Sequence, residues 1–230
     1  MMKIEIKQVM RNIYVLAFES QFDLAMTFVR IQEFYESPKY KGKYFSLEEF
    51  MDWYSCEFGN GAFTYPKDWS GFNLPGKTIK KWVKKFQVEH NDIREQEHEL
   101  LNKLESRLKD DGVSLSDAYV IGVHSQKNDE ELKYVIEHET AHALYCLYPQ
   151  YKQTCQKLLK NLPRSILNKY RKKLIRVGYA KNVLSDEIQA YFSTEGDFVS
   201  EINEKNEFEN HFIIFKEKLK KGLSNFSKDV

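Results

Sequence analysis

Residues 138–142 read His-Glu-Thr-Ala-His, inside a stretch with no proline from Lys127 to Tyr148 and with apolar residues at helical spacing. Such a stretch has nothing to break a helix. Asn128 followed by Glu131 reads as an N-cap with an acidic residue at the third helical position, and Pro149 supplies the stop. On a helix, positions i and i+4 lie about 40° apart, so His138 and His142 project from one face. Two imidazoles placed in this way can share one zinc ion. Glu139, one residue round, can reach a water on that ion without becoming a ligand.

Zinc hydrolases usually take three protein ligands and leave the fourth position to solvent, so a third must be sought downstream. The stretch from Val135 to Leu144 resembles the active-site helix of the zincin metallopeptidases. The metzincin continuation is missing, because His142 is followed by Ala-Leu-Tyr-Cys-Leu-Tyr and every methionine lies at or before Met51. The segment Ser185-Asp-Glu-Ile-Gln-Ala-Tyr191 is similar to the second helix of gluzincins. That resemblance implies Glu187 as the third ligand and Ala190 as the small residue one turn on. Asp186 then has the usual role of a carboxylate that orients a ligating imidazole. Asp186 itself, as in aspzincins, is the main rival ligand, followed by Asp197 and Glu195. An amphipathic helix with solvated carboxylates is the plain alternative. The resemblance spans about residues 128 to 195 and is nearer to the minigluzincins than to large secreted proteases. Residues 1–110 resemble no family.

Composition sets outer limits. The chain has 230 residues, 42% hydrophobic, with a mean hydropathy of −0.60 and a net charge of +1. This suits one large domain, or a catalytic core with an N-terminal subdomain, and gives no general attraction to nucleic acid or membrane. No apolar run approaches the roughly 18 residues of a membrane span. The run from Ile13 to Phe18 is too short for a signal-peptide core. Cys56, Cys146 and Cys155 form no disulfide framework, so a cytoplasmic location is expected. Cys146, one turn beyond His142, is expected to be a small buried thiol rather than a group on the metal side.

The expected fold is α+β and mainly helical: a zincin-like core with a small sheet preceding the active-site helix. Residues 1–110 are expected to form a mainly helical region of unknown role, and 111–230 the metallopeptidase core. Residues 3–18 give a weak strand signal, and a helix follows from about Gln21 to Glu36. Ser46 with Glu49 opens another helix, to about Phe58. Residues 59–76 read as a loop whose rings, Phe63, Tyr65, Trp69 and Phe72, pack on the protein itself. A long charged helix is expected over Lys77–Asp110, perturbed near Asn91, with its Lys80–Lys85 patch as a solvated face. Ala118–His124 is the clearest strand. The resemblance implies that its edge pairs with extended substrate, and that His124 is either a cleft residue or an ordinary strand-end histidine. Helices are expected over 151–161, 165–175, 182–194 and about 207–221. Resemblance to gluzincins also offers His211 or Tyr191 for oxyanion stabilisation, with packing the favoured role for His211.

Taken together these residues imply a zinc-dependent metallopeptidase in which Glu139 activates a metal-bound water and His138, His142 and Glu187 hold Zn²⁺. Its partner is a peptide or protein substrate, and the oligomeric state is left open. A protein of different class, a zincin-fold regulator with little or no catalysis, is the alternative. Glu139 separates the two, since a purely structural zinc site needs no base beside an open position.

Overall fold

The computed structural model describes residues 3–125, 128–176, 179, 181–194 and 205–226. The chain is mainly helical with one four-stranded mixed sheet, an α+β fold. It divides into two compact units, Met1–Val135 and Ile136–Val230. The sequence reading divides it after residue 110; the units instead part inside the helix that carries the His-Glu-Thr-Ala-His segment. Among the described residues no helix is long and apolar enough to cross a membrane.

In the first unit, strands β1 (Ile4–Met10) and β2 (Ile13–Phe18) form an antiparallel hairpin. Its turn places Asn12 at φ 64°, a left-handed conformation that asparagine tolerates. The sheet order is β1-β2-β4-β3, with β4 (Tyr119–His124) parallel to β2 and antiparallel to β3 (Gly71–Pro75). β4 therefore has both edges paired, and the edge expected to receive an extended substrate is occupied. The occupant is β3, which the sequence hides: five residues bounded by glycine and proline read as loop. Phe72 and Leu74 of β3 alternate into the core, and Phe63 and Tyr65 also pack inward, leaving Trp69 at 42% exposure.

Helix α1 (Gln21–Glu36) starts at Ser20, whose hydroxyl accepts from the Asp23 amide, and lies on the sheet. Gly122 of β4 permits this approach, since a Cβ there would lie 2.8 Å from Leu24 Cδ1 and 2.9 Å from Phe28 Cζ. Helix α2 (Leu47–Glu57) opens at Ser46, capped from Glu49 as expected. A short turn, α3 (Tyr65–Asp68), precedes β3. The long helix expected over residues 77–110 is broken into α4 (Gly76–Val83), a π-helical turn (Lys84–Glu89) and α5 (Glu95–Asp110). Asn91, at φ 51°, turns the chain between them. The break serves a buried ion-pair node. Arg30, 1% exposed, donates to both Glu97 carboxylate oxygens and to Asp92, and Tyr44 also donates to Asp92. Removing one partner of such a node costs about 3–5 kcal/mol, because a charge is left buried without its counter-ion.

Helix α6 (Asp129–Leu147) begins at Asn128, whose Oδ1 accepts from the Glu131 amide at 2.9 Å. The second unit continues with α7 (Pro149–Asn161), α8 (Arg164–Arg176), α9 (Leu184–Thr194) and α10 (Lys205–Phe226). α9 is packed by α7, α8 and α10, around Tyr151, Tyr170, Leu174, Ile188, Phe192, Phe208 and Phe212.

Candidate metal centre

Seven consecutive residues of α6, Glu139–Tyr145, are buried, so the motif segment is enclosed by protein rather than lying on a surface helix. Its i, i+4 spacing brings His138 Nε2 to 3.2 Å from His142 Nε2. Helix α9 approaches with its first turn, where amide donors and the helix dipole favour carboxylates. That turn carries Asp186 and Glu187. Glu187 Oε2 lies 3.6 Å from His142 Nε2, and Asp186 Oδ1 lies 2.9 Å from His142 Nδ1. The ligand atoms of His138, His142 and Glu187 all fall within 4.8 Å of one another.

The chemistry of this set fits zinc. Tetrahedral Zn²⁺ with bonds of about 2.0–2.1 Å holds neighbouring ligand atoms about 3.3–3.4 Å apart, close to the separations around His142 Nε2. The charges agree with the distances. Burial and the positive charge of His142 push His138 down to about 3, so it stays neutral. Burial also opposes charge on His142, but Asp186 and Glu187 outweigh it and hold its pKa well above the ordinary value. Three carboxylates, Glu139, Asp186 and Glu187, thus act together on one imidazole, a setting that favours a cation.

The surroundings of the triad are tied together by one fully buried amide that the sequence did not single out. Gln189 Nε2 donates to Asp186 Oδ1 at 3.0 Å and to the Ala141 carbonyl at 3.2 Å; its Oε1 accepts from Tyr151 Oη at 3.0 Å. Tyr151 Oη also lies 3.2 Å from Ser193 Oγ. A glutamine at i+3 from Asp186 is the only trace of this in the sequence, and a neutral amide belongs to no metal pattern.

Of the two oxyanion candidates, Tyr191 stands beside the triad, its ring centroid 4.8 Å from that of His138. His211 instead stacks on Tyr151 at 5.1 Å. A second hydroxyl, unforeseen, joins Tyr191: Tyr179 Oη lies 3.3 Å from Tyr191 Oη. Burial, with the charge of Glu187 behind it, raises the pKa of both phenols and keeps them protonated. Cys146, expected to be buried, is exposed, because it falls past the enclosed part of α6. His124 is 5% exposed at the end of β4 in the first unit. The rival ligands Glu195 and Asp197 lie outside the described residues. Comparison with family models, with curated proteins and with solved structures finds no match to this chain.

Proposed function

We propose that Ile136–Val230 is a zinc-dependent peptide hydrolase of zincin type, gluzincin-like in taking its third ligand, Glu187, from a second helix. One observation carries the reading: two imidazoles four residues apart and a carboxylate from another helix converge, with the buried carboxylate of Glu139 beside them. A structural zinc site would be closed by four protein ligands; three ligands and a neighbouring base describe an open one.

Bound there, zinc supplies a Lewis acid that polarises a carbonyl and makes water a nucleophile near neutral pH. The remaining roles belong to the chain. Asp186 accepts from His142 Nδ1–H and so directs the Nε2 lone pair towards the ligand cluster. Glu139 accepts the proton of the attacking water and returns it to the leaving amine. The hydroxyls of Tyr179 and Tyr191, kept protonated by burial, are the available donors for the oxyanion.

Metal content per chain tests the reading before any substrate is known. The purified protein, loaded and then dialysed, is expected to retain one zinc, Glu187→Ala to lose it, and Glu139→Gln to retain it. On a mixed peptide library the wild type is expected to cleave and Glu139→Gln to fall to background. Zinc retained in full by Glu187→Ala would remove the third ligand and the reading with it.

A further inference from the structure

Gln189 is fully buried on α9, where an apolar side chain of similar volume would fill the same space. Burying an amide is costly unless its polar atoms all find partners, and here each one does. Its two amide hydrogens go to Asp186 Oδ1 and to the Ala141 carbonyl, and its Oε1 accepts from Tyr151 Oη. The partners dictate this orientation. A carboxylate and a carbonyl both accept, so the amide nitrogen must face them. The amide oxygen then faces Tyr151, whose hydroxyl donates to it and is left to accept from Ser193 Oγ at 3.2 Å. All these residues belong to the second compact unit.

What these bonds hold in place is the ring of His142. Asp186 Oδ1 takes two contacts, one from the Gln189 amide at 3.0 Å and one from His142 Nδ1 at 2.9 Å. The Asp186 side chain is 30% exposed and that of His142 only 5%, so water competes for the carboxylate but not for the ring. The Gln189 amide, itself shut off from solvent, holds Asp186 against that competition. Its other hydrogen bond reaches the main chain at Ala141, the residue before His142. One side chain thus secures both the backbone beside the ring and the carboxylate behind it. A neutral amide suits this place, since a lysine would pair with Asp186 in competition with the imidazole and a glutamate would repel it.

We propose that Gln189 is a positioning residue for the candidate metal centre and acts on His142 through Asp186. It holds the carboxylate that holds the ring, and so keeps His142 Nε2 directed at the ligand cluster of His138 and Glu187. Its effect on zinc rests on the metal reading proposed above; its hold on the ring does not.

Two measurements on the full chain test this, the first without metal. Nuclear magnetic resonance of the zinc-free protein with isotope-labelled histidine is expected to show a solvent-protected ring N–H signal from His142 Nδ1, assigned by its loss in His142→Ala. Gln189→Leu is expected to lose that protection. The second is zinc affinity, by competition against a chromogenic chelator. Gln189→Leu is expected to weaken it about tenfold, the low end for such outer partners, with stoichiometry kept. Asp186→Ala removes the link, so adding Gln189→Leu to it is expected to change zinc affinity by less than about twofold. A role in packing alone would weaken zinc equally in both backgrounds. Gln189→Met takes the place of Gln189→Leu if the latter does not fold. A protected His142 signal that persists in the Gln189 variant, or is absent from the wild type, overturns the proposal, as does equal weakening in the two backgrounds. Should zinc binding fail in the wild type, the metal reading falls; there, or if Asp186→Ala alone loses zinc, the ring N–H comparison decides the role of Gln189.

Discussion

Gln189 donates its side-chain amide to the main-chain carbonyl of Ala141, so the helix bearing the candidate third ligand is fastened inside the His-Glu-Thr-Ala-His segment itself. The same amide group holds Asp186, and its oxygen takes the Tyr151 hydroxyl. Replacing Gln189 with Leu keeps the approximate volume and takes one partner each from half-buried Asp186, the Ala141 carbonyl and the buried Tyr151 hydroxyl. Asp186 retains His142 and Tyr151 retains Ser193, so the loss is that of about three hydrogen bonds at about 0.5–1.5 kcal/mol each, about 2–4 kcal/mol in all. Urea denaturation of the zinc-free protein measures it. A change under about 0.5 kcal/mol, the usual range for surface substitutions, would mean that the fastening is not structural.

Asp186 separates orientation from ligation. If it only steers His142, Asp186→Asn retains a hydrogen-bonding group of the same shape but lacks the anion. Zinc affinity should then fall about 10–100-fold, the usual effect of losing such a partner, while stoichiometry stays at one. If Asp186 were itself the ligand, as in the aspzincin alternative, the substitution would abolish stoichiometric zinc and Glu187→Ala would not. Competition against a chromogenic chelator on both variants reads the difference directly.

Tyr179 and Tyr191 share one short contact, but their expected effects differ. The Tyr191 ring abuts His138, so its hydroxyl and its packing are hard to separate. Tyr179→Phe removes only a hydroxyl. Loss of one oxyanion donor lowers turnover about 10²–10³-fold, and that range is expected here with zinc content and KM unchanged. Full activity in Tyr179→Phe would leave its hydroxyl as a support for Tyr191 alone.

Local rules made the motif helix readable. Its apolar spacing, its Asn128 cap and the terminal Pro149 all act within a few residues, and each appears where expected. The shared face of His138 and His142 was readable for the same reason, as i, i+4 geometry needs no tertiary information. What escaped depends on distant partners. β3 is a strand because β4 offers it an edge, not because Gly-Phe-Asn-Leu-Pro favours extension. Gln189 acquires its role only when α9 is laid against Ala141, and Tyr179 only when its loop meets Tyr191. Cys146 shows the reverse: a small apolar thiol is expected inside, but the enclosed stretch of α6 ends at Tyr145.

Glu33, on α1 of the first unit, yields a pH prediction of its own. Tyr65 donates to it from its hydroxyl at 3.0 Å. Burial lifts its pKa from 4.5 to about 7, against the opposing hydrogen bonds of Tyr65 and Ser37. Raising the pKa of an acid in the folded state means that the fold favours the neutral form. Between the unfolded value and the folded one, the native protein holds a proton that the unfolded chain has released. The stabilising contribution of this group is therefore complete below pH 4.5, declines as pH rises, and is gone above about 7. Its upper bound is about 3 kcal/mol at 1.36 kcal/mol per pKa unit. Glu33→Gln retains an acceptor for Tyr65 without the charge. It should be more stable than wild type at pH 8, close to it at pH 4.5, and flatter in between. Urea midpoints across that pH range check this, and parallel curves for the two proteins would show that Glu33 titrates as an ordinary solvated carboxylate.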